Sequence, residues 1–188
     1  ALKKLTENSR YYNQQELIKE LSDVNYEIAY NLYNVYKNNI NNVLLDKALV
    51  SVKKSIDLKQ SAELDFENDK SYNLMGLIYN KLNKLEDAFK SFELANTFNE
   101  QKDPEILYNL GSAYWFLENN DEAIYYLKKS YELNPLSSDP LILISRIKNI
   151  EADESVNIGD ETGAKKLNES AIDYLKKAEK NNPDYSEI

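Results

Sequence analysis

The chain has 188 residues, only four glycines and four prolines, and a formal charge of −9 with no histidine and no cysteine. An all-β chain needs a turn roughly every ten residues, so this composition predicts helix; without Cys or His there are no disulfides, no zinc sites of the usual ligand types, no thiol nucleophiles and no imidazole dyads. The acidic balance, with a pI near 4.7, argues against nucleic acid or an anionic membrane surface as a partner, since both reward a basic stripe.

No apolar run approaches the roughly 18 residues of a membrane span. Lysine outnumbers arginine 21 to 2, and Asn and Tyr are abundant; we read this as the codon bias of an AT-rich, bacterial genome. The chain starts at Ala1 rather than Met, so a preceding segment is expected to have been lost, and a signal or lipid anchor there stays open. Both the cytoplasm and the periplasm or cell envelope fit.

Residues 1–22 carry Leu2, Leu5, Leu17, Ile18 and Leu21 among polar groups and predict a leading, capping helix. Ser22-Asp23 reads as the N-cap of a second helix bearing Ile28, Ala29, Leu32, Tyr33 and Tyr36. A loop over residues 38–42 leads to a return helix over 44–58, with Leu45, Ala48, Val52, Ser55 and Ile56 on one face. Residues 60–70, acidic and anchored only by Phe66, predict a helix extension plus a short insertion.

The next hairpin is sharper. Tyr72, Met75, Gly76 and Tyr79 are followed by a break at Asn83-Lys84, then by Ala88, Phe92 and Ala95. The same landmarks return as Leu107, Leu110, Gly111 and Tyr114, a break at Glu118-Asn119-Asn120, then Ala123, Leu127 and a closing Asn134-Pro135. Gly76 to Gly111 and Ala88 to Ala123 are each 35 residues apart, so two independent landmarks keep one spacing. In the first hairpin the register is Ala29, Leu32, Tyr33 and Tyr36, with Tyr33 in the glycine slot. Asp139-Pro140 opens another helix with Leu141, Ile144, Ile147 and Ile150 on its inner face, Pro being tolerated in a first turn. After a break at 157–160, a final helix carries Ala164, Leu167, Ala171, Tyr174, Leu175 and Ala178, and ends at Asn182-Pro183 in a copy of the earlier ending offset by 48 residues. Asp184-Tyr185 reads as the start of another helix, so the array continues or ends unsealed.

Residues 107–135 resemble a tetratricopeptide repeat: Leu107, Leu110, Gly111, Tyr114, Ala123 and Pro135 fill six of its seven slots, and Leu127 replaces the aromatic. The resemblance extends over about residues 25–183. It implies an all-α fold, a right-handed superhelical solenoid of antiparallel helix hairpins with three to four repeats plus an N-terminal helix. The expected organisation is 1–22 as the leading helix and 23–188 as the array, with repeats at about 25–58, 69–102 and 103–136 and an elongated hairpin at 139–183.

One repeat cannot bury its own apolar face, so Ala88, Ala95, Ala123, Ala171, Ala178, Gly76 and Gly111 are expected to be packing positions. In the family the ligand groove is lined by the first helix of each repeat, on the face the second helix leaves open. Helical spacing maps that face onto Tyr30, Asn34 and Lys37; Asn73, Leu77 and Lys81; and Tyr108, Ser112, Trp115 and Phe116. Trp115 and Phe116 could anchor a bound peptide or pack on neighbouring helices. Some members clamp a peptide carboxylate with Lys and Asn; the matching places here are Tyr30, Asn34, Leu74, Glu105 and Asn109, and only Asn34 agrees. The acidic stretch 151–161 places oxygens at Asp153, Ser155 and Asn157, but Gly159 falls one place late for a calcium loop and Ala164 stands where its closing Glu belongs.

With no phosphate loop and no acid–base constellation, neither catalysis nor a cofactor or metal is expected. The sequence predicts a non-catalytic scaffold that holds a partner's peptide or helix in its concave groove. The alternative is a structural subunit of a multiprotein cell-envelope or motility assembly, through self-association or hetero-assembly.

Overall fold

The structure, a computed structural model, describes residues 2–38, 40–64 and 68–181, with side chains from Tyr12 onward. Its described residues form eight helices and no strand: α1 (Leu2–Asn38), α2 (Asn42–Ser61), α3 (Asp69–Lys81), α4 (Leu85–Asn99), α5 (Pro104–Phe116), α6 (Asn120–Leu133), α7 (Asp139–Asn157) and α8 (Glu161–Asn181). They fall into two compact units, Ala1–Glu100 and Gln101–Ile188. Phe66 and the ending Asn182 to Tyr185 lie outside the described residues.

Four helices end by one device. A residue with positive φ lets the next amide reach back five residues: Leu64 N–H donates to the Lys59 carbonyl at 2.8 Å, Lys84 to Tyr79 at 2.9 Å, Asn119 to Tyr114 at 3.0 Å and Asp160 to Ser155 at 2.9 Å. The pivots are Glu63, Asn83, Glu118 and Gly159, with φ of 58°, 57°, 59° and 84°. This left-handed ending satisfies carbonyls that the last turn would otherwise leave open. Asn83 and Glu118 are 35 residues apart, so the turn repeats with the helices.

In the first unit, α1, α2 and α3 share a core of Ala29, Tyr33, Leu45, Ala48, Val52, Leu74 and Ile78. The predicted break at Ser22-Asp23 does not occur, because α1 runs unbroken from Leu2 to Asn38. Ser22 is instead fully buried, its hydroxyl 2.8 Å from the Ser55 carbonyl and 2.9 Å from Ser55 Oγ. Ser55 Oγ lies 3.2 Å from Ser71 Oγ, so three small hydroxyls link α1, α2 and α3 where larger side chains would hold the helices apart. The α3–α4 hairpin closes through Gly76, where an added Cβ would sit 2.5 Å from the Phe92 ring. Its far end is tied by Asn99 donating to Asp69 at 2.8 Å and by Tyr72 stacked on Phe98.

The second unit is built around Ala123, Ile124 and Leu127 of α6 and Leu143, Ile144 and Ile147 of α7, with Tyr108, Tyr114, Trp115 and Tyr174 packed against them. Burying each such aliphatic side chain contributes about 1.5–3 kcal/mol. At Gly111, a Cβ would meet Leu127 Cγ at 2.9 Å and the Ala123 carbonyl at 3.1 Å, so α5 and α6 need glycine to cross this closely. Ser130 donates to the Pro104 carbonyl at 2.7 Å and Ser138 to the Ala178 carbonyl at 2.9 Å. The last hairpin is elongated, with helices of 19 and 21 residues. Its turn uses Asp160 as a helix cap, Oδ1 accepting from Gly163 N–H at 2.8 Å.

Candidate functional site

The first helix of a hairpin has an open face only where the second helix does not cover it, and the singled-out residues can be placed on that basis. In the first unit Tyr30 is exposed and stacked on Tyr26 with ring centroids 6.2 Å apart. Lys37 is exposed and lies over the Tyr33 ring, Nζ 4.9 Å from its centroid. Asn34 is half-buried and its carbonyl accepts from Asn38 Nδ2 at 3.3 Å. On α3, Asn73 is half-buried, Leu77 packs against the core and Lys81 is exposed. Of the places matching a carboxylate clamp, Leu74 and Asn109 are buried.

In the second unit Tyr108, Ser112, Trp115 and Phe116 follow one another along α5. Ser112 Oγ donates to the Tyr108 carbonyl at 2.9 Å, so its hydroxyl is spent within the helix. Trp115 is half-buried against the core and tilts onto Phe116, their centroids 5.2 Å apart, while Phe116 is 49 % exposed. The alternatives of anchor and core packing are therefore divided between the two: Trp115 packs at the edge of the core, and Phe116 presents an aromatic face to solvent.

Beside Tyr108 lies a groove of about 540 Å³ formed by α5, α7 and α8. Ile142, Arg146 and Asn149 of α7 line it, with Ile172, Leu175 and Lys176 of α8 on the far wall. Its lining combines these aliphatic side chains with two basic groups, Arg146 and Lys176, and two carboxylates, Asp139 and Glu179. Groups of this kind can hold an apolar side chain and pair with charged neighbours.

The α7 residues were not singled out in the sequence, although a signal exists. Leu141, Ile144 and Ser145 stand 34 residues after Leu107, Leu110 and Gly111. That register carries Tyr108, Ser112 and Trp115 onto Ile142, Arg146 and Asn149, three residues lining the groove. The apolar run at 141–144 concealed it, because Ile142 reads as one more core residue until the helix is aligned with its predecessor.

Comparison with known proteins agrees with this architecture. The tetratricopeptide-repeat family model matches residues 69–102 and again 104–135. No curated protein gives a significant sequence match. Among solved structures, a crystal structure of MamA is 18% identical with a TM-score of 0.59, covering 98% of this chain and 96% of that one. YrrB, a TPR protein with an unusual peptide-binding site, is 22% identical with a TM-score of 0.59, covering 93% of each chain. Identities this low establish the fold. Residues 69–102 and 104–135 are two consecutive tetratricopeptide repeats, and the chain has the fold of solved tetratricopeptide-repeat proteins.

Proposed function

We propose that the chain is a scaffold that binds a peptide or helix of a partner protein along the open faces of its first helices. The array is read as repeats at 25–58, 69–102, 103–136 and 139–183, with 1–22 leading it. The observation that carries the proposal is the groove of about 540 Å³ beside Tyr108, which is large enough for a few side chains and has Ile142, Leu175 and Ile172 as its apolar contacts. Exposed apolar surface in a concave site is costly unless it is covered in use. Trp115 and Phe116 extend this surface along α5, and Tyr30, Asn34, Lys37, Asn73, Leu77 and Lys81 are the corresponding positions of the first unit. A peptide-binding site in YrrB, a protein of the same fold, supports the reading.

The preferred ligand segment carries an aliphatic side chain for the aliphatic lining and an acidic side chain for Arg146. Selection of random displayed peptides on the intact chain tests this. Selected peptides are expected to bind the wild type and to lose at least about tenfold affinity for Ile142→Glu and Arg146→Glu, a loss worth ~1.4 kcal/mol. Peptides indifferent to both replacements, with folding intact by circular dichroism, would remove the groove from the account. The alternative of a structural subunit draws on a different surface, on α1.

A further inference from the structure

Helix α1 has two apolar faces. The inner one, with Ala29 and Tyr33 at its centre, packs into the core of the first unit. A surface helix ordinarily has only that one stripe. On the outer side lie Leu17, Leu21, Val24, Ile28 and Val35, all large, all aliphatic, and between 45 % and 56 % exposed. With Asn31, which is also exposed, they sit at alternating steps of four and three residues: 17, 21, 24, 28, 31, 35. This is the spacing of a coiled-coil seam, a stripe that stays on one side of a helix only if another helix lies along it.

We propose that this seam joins two copies of the chain, α1 against α1, parallel and in register. Three observations point to a second copy. First, the single polar position is an asparagine. In a parallel pair Asn31, at a d position of the seam, faces its own counterpart, so each amide meets a polar group rather than an aliphatic one. An antiparallel pair overlapping the whole stripe matches residue 17 with 35 and 24 with 28, and so sets Asn31 against Leu21, leaving a buried amide unsatisfied. Second, the flanking charges favour the parallel pair. Glu20 and Glu27 lie on the same side of the seam. In the parallel pair they face positions 25 and 32, an asparagine and a leucine, whereas the antiparallel pair brings Glu27 against Glu27. Third, the area suffices. Half-exposure of five aliphatic side chains leaves roughly 400 Å² of apolar surface, the size at which a monomer's patch is commonly functional. Doubled across a two-fold axis and rimmed by the flanking polar residues, it approaches the ~1,000 Å² of a specific interface.

The absence of cysteine makes the test direct. Sedimentation of the full chain over a range of concentrations is expected to show a monomer–dimer equilibrium. The double replacement Leu21→Lys with Ile28→Lys puts like charges into the seam and is expected to weaken association at least about a hundredfold, with the helical circular dichroism unchanged. Asn31→Cys, treated with diamide, is expected to give a covalent dimer in high yield, while Lys19→Cys, on another face of α1, gives none. A wild type that stays monomeric at its highest soluble concentration would overturn the proposal. So would a dimer that survives the double replacement, or one in which the cysteine at 31 does not cross-link.

Discussion

Gly76 and Phe92 fit so closely that a Cβ added at Gly76 would stand 2.5 Å from Phe92 Cε1. Phe92 is itself 2 % exposed, so its ring has no solvent to retreat into. Alanine would add about 1 kcal/mol of helix propensity over glycine, but the clash is with a packed ring and outweighs it. Gly76→Ala is therefore expected to destabilise the chain by about 1–3 kcal/mol in urea unfolding. Adding Phe92→Leu should recover part of the loss, because the two changes share one contact and are not additive. A neutral Gly76→Ala would show that α3 and α4 can separate freely.

The Ser22–Ser55–Ser71 series predicts a different kind of loss. Replacing Ser55 by alanine changes almost no volume yet leaves Ser71 and Ser22 each with one partner fewer. The expected cost is about 1–2 kcal/mol, that of buried hydroxyls left partly unsatisfied. Ser61→Ala, in the exposed last turn of α2, serves as the comparison and is expected to be close to neutral.

Four helix ends use a non-glycine residue in the left-handed conformation, among them Glu118 with φ of 59°. A side chain costs about 1–2 kcal/mol there, and glycine avoids the cost while losing more entropy on folding. Glu118→Gly is thus expected to raise stability by up to about 1 kcal/mol. Gly159→Ala, at φ of 84° with open space around it, should lower it by a comparable amount. Thermal unfolding of the two variants reads both signs.

Leu110 and Trp115 lie on the same helix but differ in burial. Leu110 is 1 % exposed, so Leu110→Ala is expected to cost about 2–5 kcal/mol. Trp115, half-buried at the edge of the core, should cost less on truncation, while its loss weakens binding of a selected peptide. Equal loss of melting temperature in both variants would assign Trp115 wholly to the core.

How much of this was legible in the sequence depended on whether a signal repeats. The 35-residue spacing of Gly76 with Gly111 and of Ala88 with Ala123 marked the crossing points, and these alanines, with Ala95, Ala171 and Ala178, are all buried. The turn at 157–160 was legible because Gly159 and Asp160 have one use each, as a left-handed pivot and a helix cap. Ser22 misled because a hydroxyl that can cap a helix can equally bond to a neighbouring helix; local sequence does not distinguish the two. Ile142, Arg146 and Asn149 were hidden for the opposite reason, since an apolar run looks like core on every side until a repeat register tells inward from outward positions. The outer stripe of α1 was legible only in fragments, its residues having been divided between two helices by the expected break.

The central claim, that α5 and α7 present a peptide-binding groove, is tested most directly by hydrogen–deuterium exchange of the intact chain with and without a selected peptide at saturation. The account predicts slower exchange in Pro104–Phe116 and Asp139–Asn157, with Asn120–Leu133, the second helix of its hairpin, little changed. Protection confined to Asn120–Leu133, or none in α5 and α7 while the peptide is bound, would contradict it.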